Sequence, residues 1–287
     1  MDAQPRSAQT VNVDLRAVRT VLGYLRKLGL LPKIASDDLK DGLERLAVSH
    51  DATEYLRPSE IQTLLDSALK HDAAVYDATR EEHAGLRPLG STMRYHPIAP
   101  LVACALLTGM RFGEAAGLTW EEVDLEAVGD DGQPVGEIHL TAATKTKRAR
   151  SVDLTVSPAL RDLLVAMHKR DGGQGTVFSG TRPTAEAAAK RIRKDYGAPK
   201  AFTWQALRRT CGTYLTNSPG IFGAASAYRS AKQLGHSVAV AERHYVGVIR
   251  GIPRDARTLE AAMQIETQME HVIAAVDSAP APRKKLA

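Results

Sequence analysis

The longest apolar stretch of the chain runs from Pro97 to Met110. It predicts a helix over residues 97–108 that ends at Gly109, because glycine adopts the left-handed conformation that closes helices without a steric penalty. Spanning a bilayer takes about 20 apolar residues, so this stretch is too short to do so. The N-terminus is polar and lacks the apolar run of a signal peptide. We therefore expect a cytoplasmic protein with no membrane partner.

Composition further narrows the class of protein that this chain can be. At 287 residues the chain can bury a good core, and one large domain with a smaller one is expected. The formal net charge of +5 and the isoelectric point of about 9.2 suit a protein that binds a polyanion. The two cysteines, Cys104 and Cys211, lie in predicted helices and suggest no disulfide framework. The histidines show no metal-ligand spacing, so neither a metal nor a cofactor is expected.

Helical patterns dominate the chain. Residues 1–12 are expected to be disordered and residues 71–96 to form a loop or an irregular insertion. Proline, glycine and threonine mark several helix boundaries. The predicted helices, besides 97–108, cover residues 13–31, 37–48, 58–70, 158–170, 185–195, a stretch from Thr203, and 258–276.

Residues 136–141 and 150–155 alternate apolar and polar side chains, as half-buried strands do. A basic segment joins them, so a hairpin is predicted whose turn carries Lys145, Lys147, Arg148 and Arg150. A run of charges at a turn is usually just solvated, but such a turn can also enter a DNA groove. The predicted fold class is mainly α with a small antiparallel β-hairpin or sheet (α+β).

Five further residues occur in a fixed order, each in a short patterned stretch. Two arginines, a lysine, a histidine and a tyrosine are the parts needed to cut a phosphodiester without a metal, because guanidinium groups can neutralise the phosphate oxygens. The residues are Arg111 in Leu-Leu-Thr-Gly-Met-Arg-Phe-Gly-Glu (106–114), Lys145 in Thr-Lys-Thr-Lys (144–147), Arg208 in Gln-Ala-Leu-Arg-Arg-Thr (205–210), His236 in Leu-Gly-His (234–236), and Tyr245 nine residues later.

Each of these residues also has a plain structural interpretation. Arg111 alone fits a surface arginine past a helix end, His236 a helix-terminal histidine, and Tyr245 an amphipathic core tyrosine. The spacing on the helix from Thr203 leaves Arg208 or Arg209 near the core, where it needs a partner such as a phosphate or Glu114. The fixed order of the five residues favours the functional interpretation over the structural ones, and Tyr228 and His244 are less well placed.

The stretches resemble the catalytic boxes of the tyrosine recombinase (phage integrase) family over roughly residues 54–250. The resemblance implies that Arg111 and Arg208 clamp the phosphate, that Glu114 supports the site, and that Lys145, with Lys147 as second choice, protonates the leaving oxygen. His236 would donate a hydrogen bond to the phosphate, and Tyr245 would attack phosphorus. Expected DNA contacts come from Lys147, Arg148, Arg150 and Arg209.

One departure from the family pattern concerns Gln205, which stands where the second box usually has histidine. Glutamine can donate and accept hydrogen bonds but cannot take a proton. We therefore expect Gln205 to orient the phosphate without acting as a general base, and cleavage to be slower than with histidine.

The resemblance also implies a domain plan and a reaction. Residues 1–52 would be part of a helical DNA-binding domain, 53–276 the catalytic domain with a final helix that docks on a neighbouring subunit, and 277–287 a flexible basic tail. The short first segment predicts a weakened grip on DNA.

The expected function is site-specific recombination or integration of a mobile element, through a 3′-phosphotyrosyl intermediate and a Holliday junction. Double-stranded DNA, further copies of the chain (a dimer to a tetramer) and accessory DNA-bending proteins would be the partners, and the protein would be nucleoid-associated when bound. The alternatives are an impaired DNA-binding remnant and a type IB topoisomerase-like enzyme.

Overall fold

The computed structural model describes residues 6–31, 34–48, 55–76, 78–90, 92–129, 132–141, 149–222, 226–245 and 252–279. The chain divides into two compact units, residues 1–52 and 53–287. Among the described residues no helix combines the length and the apolar character needed to cross a bilayer.

The first unit contains helices α1 (Ala8–Lys27) and α2 (Ser36–Asp41). The prediction of disorder is wrong for residues 8–12, because Ser7 accepts a hydrogen bond from the backbone N–H of Thr10 and starts α1 there. Helix α2 is shorter than predicted. The side chain of Asn12 makes two hydrogen bonds to the backbone of Leu46, which holds the residues after α2 along α1 instead of in a helix.

The second unit carries the remaining elements. Most are helices, and short 3₁₀ turns cover Trp120–Glu122 and Leu154–Val156. The helices are α3 (Pro58–Asp72), α4 (Arg80–His83), α5 (Ala99–Thr108), α6 (Phe112–Ala116), α7 (Pro158–Asp171), α8 (Arg182–Asp195), α9 (Trp204–Asn217), α10 (Pro219–Phe222), α11 (Ser226–Leu234), α12 (Val238–Tyr245), α13 (Leu259–Met263) and α14 (Glu266–Ser278).

Helix α5 is the centre of this unit, and all ten of its residues are buried. The carboxylate of Asp72 accepts hydrogen bonds from the N–H groups of Ile98 and Ala99 and so caps its first turn. Gly109 ends the helix with φ 63°, as predicted. A Cβ atom there would lie 3.1 Å from the Sγ atom of Cys211, so glycine lets α9 pack directly against the end of α5.

The predicted hairpin is confirmed and belongs to a three-stranded antiparallel sheet. Strands β1 (Val123–Asp124), β2 (Glu137–Leu140) and β3 (Arg150–Asp153) follow one another in that order. Ile138 pairs with Val152 and both are buried, so this face of the sheet turns toward the core. The fold class is therefore the predicted one, mainly helical with a small antiparallel sheet. The turn segment 142–148 lies outside the described residues.

Two further predictions need correction. Residues 71–96 contain the short helix α4 and an antiparallel bridge between Val75 and Met93. The single helix predicted over 258–276 is two helices, α13 and α14, because Gln264 adopts a left-handed conformation (φ 57°) between them. Its carbonyl oxygen accepts a hydrogen bond from the side chain of Gln62 in α3. Helix α14 packs against α7 and α3 of the same chain.

Candidate active site

Arg111 follows the end of α5 and immediately precedes α6. Its backbone N–H donates to a carboxylate oxygen of Glu114 (2.9 Å), and its guanidinium Nη1 donates to the other oxygen (3.2 Å). The first contact is the helix-capping interaction expected of an acidic residue in the first turn. The Arg111 side chain is 31% exposed, so it is fixed at its base and open to solvent.

Arg150 differs from its expected place at the tip of the hairpin. It is the first residue of β3, and its side chain is only 7% exposed. Its guanidinium donates to both carboxylate oxygens of Glu114, at 3.1 and 2.6 Å, and its Nε donates to the carbonyl oxygen of Gln233 (3.2 Å). The cause is strand alternation, which puts Arg150 on the same face as buried Val152.

Arg208 is buried in α9 and is 4% exposed. Its guanidinium donates to the carbonyl oxygens of Gly109 and Leu234, which end α5 and α11 respectively. Its partners are therefore main-chain carbonyl oxygens, and the carboxylate of Glu114 instead pairs with Arg111 and Arg150. A helix-ending carbonyl carries partial negative charge and suits a guanidinium partner.

Tyr245 is the last residue of α12 and is 6% exposed. Its ring lies against α9 at Gly212, where an added Cβ would come within 2.9 Å of the ring Cζ atom. The side chain of Asn217 donates to the Tyr245 carbonyl oxygen (2.6 Å) and ties the end of α12 to α9. Gly212 and Asn217 were not predicted from the sequence. The available signal for Gly212 was a glycine inside a helix, which costs helix stability and can have a packing reason.

His236 lies beside Tyr245, with the two ring centroids 5.3 Å apart. It follows Gly235, whose φ of 71° ends α11, and the N–H groups of both residues bond to the carbonyl oxygen of Ala231. The His236 Nδ1 donates to the carbonyl oxygen of Ser237 (3.2 Å). Leu-Gly-His is thus a helix-ending motif that turns a histidine toward the ring of Tyr245.

The remaining predicted residues lie as follows. Gln205 is exposed in the first turn of α9, and Arg209 is half-buried one residue after Arg208. Lys145, Lys147 and Arg148 lie outside the described residues.

Burial and neighbouring charges shift the pKa values of both Tyr245 and Arg208. Burial raises the pKa of Tyr245, although the positive charges of Arg208, Arg209 and Arg111 oppose that rise. Burial lowers the pKa of Arg208, and the nearby charge of Arg111 lowers it further. The cationic neighbours offset the effect of burial only in part, and the pKa of Tyr245 stays above its ordinary value. Tyr245 is therefore a protonated phenol at neutral pH.

Glu114 is the carboxylate of the cluster, and its ionisation follows from its partners. Burial alone raises the pKa of Glu114, but the hydrogen bond from Arg150 and the backbone N–H of Arg111 outweigh burial and leave the pKa below its usual value. Glu114 is therefore ionised at neutral pH. The three groups Arg111, Arg150 and Glu114 together carry one net positive charge.

Comparisons with known proteins agree with the sequence patterns. The profile of the phage integrase family matches residues 54–246. No protein of curated function shows significant sequence similarity to the chain.

Several solved structures are similar in fold. The Tn1549 transposon integrase in complex with a circular intermediate DNA has a TM-score of 0.52 at 15% identity, over 85% of this chain and 77% of that one. The same integrase with transposon right end DNA has a TM-score of 0.50 at 16% identity, over 85% and 76%. The catalytic domain of bacteriophage HP1 integrase has a TM-score of 0.41 at 20% identity, over 68% and 87%. At 15–16% identity, the likeness to the two Tn1549 integrase structures bears on the fold alone.

Proposed function

The chain belongs to the phage integrase family, the site-specific tyrosine recombinases, and from that premise we propose that it cuts and rejoins DNA strands through a covalent link to Tyr245. The observation that carries this assignment is the meeting of Arg111, Arg208, His236 and Tyr245 from three separate sequence boxes around the packing of α5, α9, α11 and α12.

The first chemical step is attack by the Tyr245 phenol oxygen on the scissile phosphorus. An oxygen–phosphorus bond to the tyrosine forms, and the bond from phosphorus to the DNA 5′-oxygen breaks. Lys145 donates its proton to that 5′-oxygen, and the phenolic proton passes to water, since Gln205 cannot accept it. The product is a 3′-phosphotyrosyl link, which conserves the energy of the broken bond.

The transition state carries extra negative charge on the non-bridging phosphate oxygens. Arg111 and Arg208 neutralise this charge, and His236 adds a hydrogen bond from Nε2 when both of its ring nitrogens carry a proton. Preorganised donors of this kind contribute roughly 10²–10³ in rate each. Two fixed guanidinium groups fill the role that a metal ion has in other phosphotransferases, so we expect adduct formation to persist in EDTA.

Rejoining reverses the chemistry with a different nucleophile. A 5′-hydroxyl from a partner duplex attacks the phosphotyrosine and forms a new bond to phosphorus, while its proton passes to Lys145. The bond from phosphorus to the Tyr245 oxygen breaks, and the tyrosine takes up a proton from water. Two such exchanges through a Holliday junction recombine two sites. Double-stranded DNA is the partner, with assembly of a dimer to a tetramer on it and accessory DNA-bending proteins in addition. Phosphate contacts predict that DNA affinity falls steeply with salt.

The test uses nicked duplexes from the DNA flanking the gene of this chain, resolved on a denaturing gel. Wild type should give a protein–DNA adduct, with and without EDTA, and Tyr245→Phe should give none. Tyr228→Phe is the matched control, because Tyr228 is 63% exposed and lies before the Leu-Gly-His motif; it should behave as wild type. An adduct in Tyr245→Phe would remove Tyr245 as the nucleophile.

A second candidate is a DNA-binding remnant without strand-transfer activity. The observation that favours it is Gln205, which replaces a proton-accepting histidine. Salt-sensitive DNA binding by wild type with no adduct on any of the duplexes would support this candidate against the recombinase.

A further inference from the structure

Arg150 makes the most extensive set of side-chain hydrogen bonds around Glu114. Two guanidinium nitrogens meet the two carboxylate oxygens, at 3.1 and 2.6 Å, and a third meets the carbonyl oxygen of Gln233 at 3.2 Å. Both side chains of this ion pair are nearly buried, at 7% and 8% exposure. This planar two-point contact fixes a carboxylate in direction as well as in place.

Glu114 passes this constraint on to Arg111. The same two carboxylate oxygens accept hydrogen bonds from the Arg111 backbone N–H (2.9 Å) and from its guanidinium (3.2 Å). The Arg111 side chain is 31% exposed, so it remains reachable by a phosphate. The buried Arg150 therefore holds Glu114, and Glu114 in turn holds the more exposed Arg111.

The surrounding backbone leaves space for this arrangement. Gly235 has φ 71°, and a Cβ atom there would lie 2.7 Å from the Cδ and 3.1 Å from the Nε of Arg150. Glycine in the Leu-Gly-His motif thus ends α11 and also lets the Arg150 side chain pass beneath that end to reach Glu114.

We propose that Arg150 is a positioning residue that holds Glu114, and through it Arg111, in the geometry needed for phosphate charge neutralisation, and that it is not a DNA contact. The proposal rests on the recombinase function proposed above. It separates Arg150 from its sequence neighbour Arg148, for which a direct DNA contact is still expected.

Three variants test the proposal. Arg150→Lys keeps the charge but can make only one of the two contacts with Glu114. Arg150→Gln leaves the Glu114 carboxylate without its main partner, and stranding a buried charge can unfold a protein. The double variant Arg150→Gln with Glu114→Gln removes both charges together and keeps the measurement interpretable. Circular dichroism and thermal unfolding select the variants that are folded.

DNA binding and its salt dependence separate positioning from contact. For the folded Arg150 variants we expect an unchanged dissociation constant and an unchanged slope of log affinity against log salt. For Arg148→Gln, the comparison variant, the slope should become shallower by about 0.9, the value for one lost phosphate contact. A similarly shallower slope in the Arg150 variants would overturn the proposal.

Single-turnover cleavage measures the effect on the chemistry. We expect the double variant to cleave about 10²-fold more slowly, since a misplacement of about 1 Å has an effect of that size. Arg150→Lys should recover part of the loss. Cleavage at the wild-type rate in the folded variants would show that Arg150 has no positioning role.

A DNA substrate with sulfur in place of the scissile 5′-oxygen identifies the group that Arg150 positions. A thiolate leaves without protonation, so this substrate does not need Lys145. If Arg150 acts through Arg111, the roughly 10²-fold loss persists on this substrate; if the loss disappears, Arg150 acts through the leaving-group acid and the proposal is wrong. Wild type must form an adduct with both substrates; if it forms none, the recombinase function itself fails, independently of Arg150.

Discussion

The two phosphate-clamping arginines proposed for the site are held in opposite ways. Arg208 is 4% exposed and is held by two neutral carbonyl oxygens, those of Gly109 and Leu234. Arg111 is 31% exposed and is held by the carboxylate of Glu114, which has a second arginine, Arg150, on its other side. Carbonyl partners leave the full charge of Arg208 in place. The Arg111 corner, formed by Arg111, Glu114 and Arg150, keeps a net positive charge only because Arg150 is there.

In the Arg208 corner, formed by Arg208 and the carbonyl groups of Gly109 and Leu234, the same contacts stabilise the fold and build the site. In the Arg111 corner, the contacts that stabilise the fold are separate from the group that binds phosphate. Arg208 connects the ends of α5 and α11 across α9, so the fold and the site depend on the same contacts. Arg111 is bound to its own short helix, and Glu114 keeps Arg150 as a partner if Arg111 is removed. The Arg111 corner can therefore lose its phosphate-binding group without losing its structure.

The largest expected difference between the corners is in the free energy of unfolding. Arg208→Ala leaves two carbonyl oxygens without their partner, at about 1–3 kcal/mol each, and should destabilise the chain by about 2–6 kcal/mol. Arg111→Ala removes one partly exposed ion pair and should cost less than about 1 kcal/mol. Both should slow cleavage by roughly 10²–10³. Urea unfolding of the two variants measures this difference, and equal losses of stability would show that the two arginines contribute equally to the fold.

Gly212→Ala tests how closely the Arg208 corner is packed around the nucleophile. Gly212 lies one helical turn after Arg208, and the new methyl group would come within 2.9 Å of the Tyr245 ring and of a Leu234 methyl. The ring has to move, so we expect single-turnover cleavage to fall by about 10²-fold. Gly23→Ala is the control, because Gly23 is also helical and an added Cβ would meet nothing within 4 Å. Equal rates for both variants would contradict this account of the packing.

The two corners also differ in what the sequence could predict. Gly109 was expected to end a helix and does so, and the spacing around Arg208 and Arg209 implied that one of them is near the core. The carbonyl partners of Arg208 could not be predicted, because they depend on where the ends of α5 and α11 meet α9. The break at Gln264 was hidden for a similar reason, since apolar periodicity continues through a single left-handed residue.

The position of Arg150 could have been predicted from strand alternation, but the basic residues next to it pointed to a different position. Residues of one strand that lie two positions apart share a face, so Arg150 had to face the core if Val152 did. Its charge and its neighbours Lys147 and Arg148 favoured a solvated or DNA-bound turn instead. Glu114, its partner, is 36 residues away in the sequence, and without the fold nothing linked the two.

Gln205→His tests proton transfer from the nucleophile on the Arg208 side of the site. Gln205 is exposed in the first turn of α9, three residues before Arg208, and cannot accept the phenolic proton. A histidine there supplies a general base, an effect that is typically 10² or more where the base is well placed; at this exposed position we expect about a 10-fold faster cleavage. Gln205→Asn is the control that changes size without adding a base. An unchanged or lower rate in Gln205→His would end the idea that Gln205 limits cleavage.

The smallest expected effect is the response of the two corners to acid. The hydrogen bonds from Arg150 and Arg111 leave the pKa of Glu114 below the ordinary value of 4.5 in spite of its burial. The folded state therefore binds this proton less readily than the unfolded state, and the stability that Glu114 contributes is complete above pH 4.5 and is lost as the pH falls through the folded-state pKa.

The carbonyl partners of Arg208 do not titrate, so its contribution to stability should not change in that range. The difference in unfolding free energy between wild type and Glu114→Gln should therefore shrink as the pH drops below 4.5, while the difference between wild type and Arg208→Ala stays constant. Urea unfolding in steps from neutral to acidic pH measures both differences. If the two shrink in parallel, the carboxylate is not what distinguishes the Arg111 corner, and the contrast drawn between the two arginines is wrong.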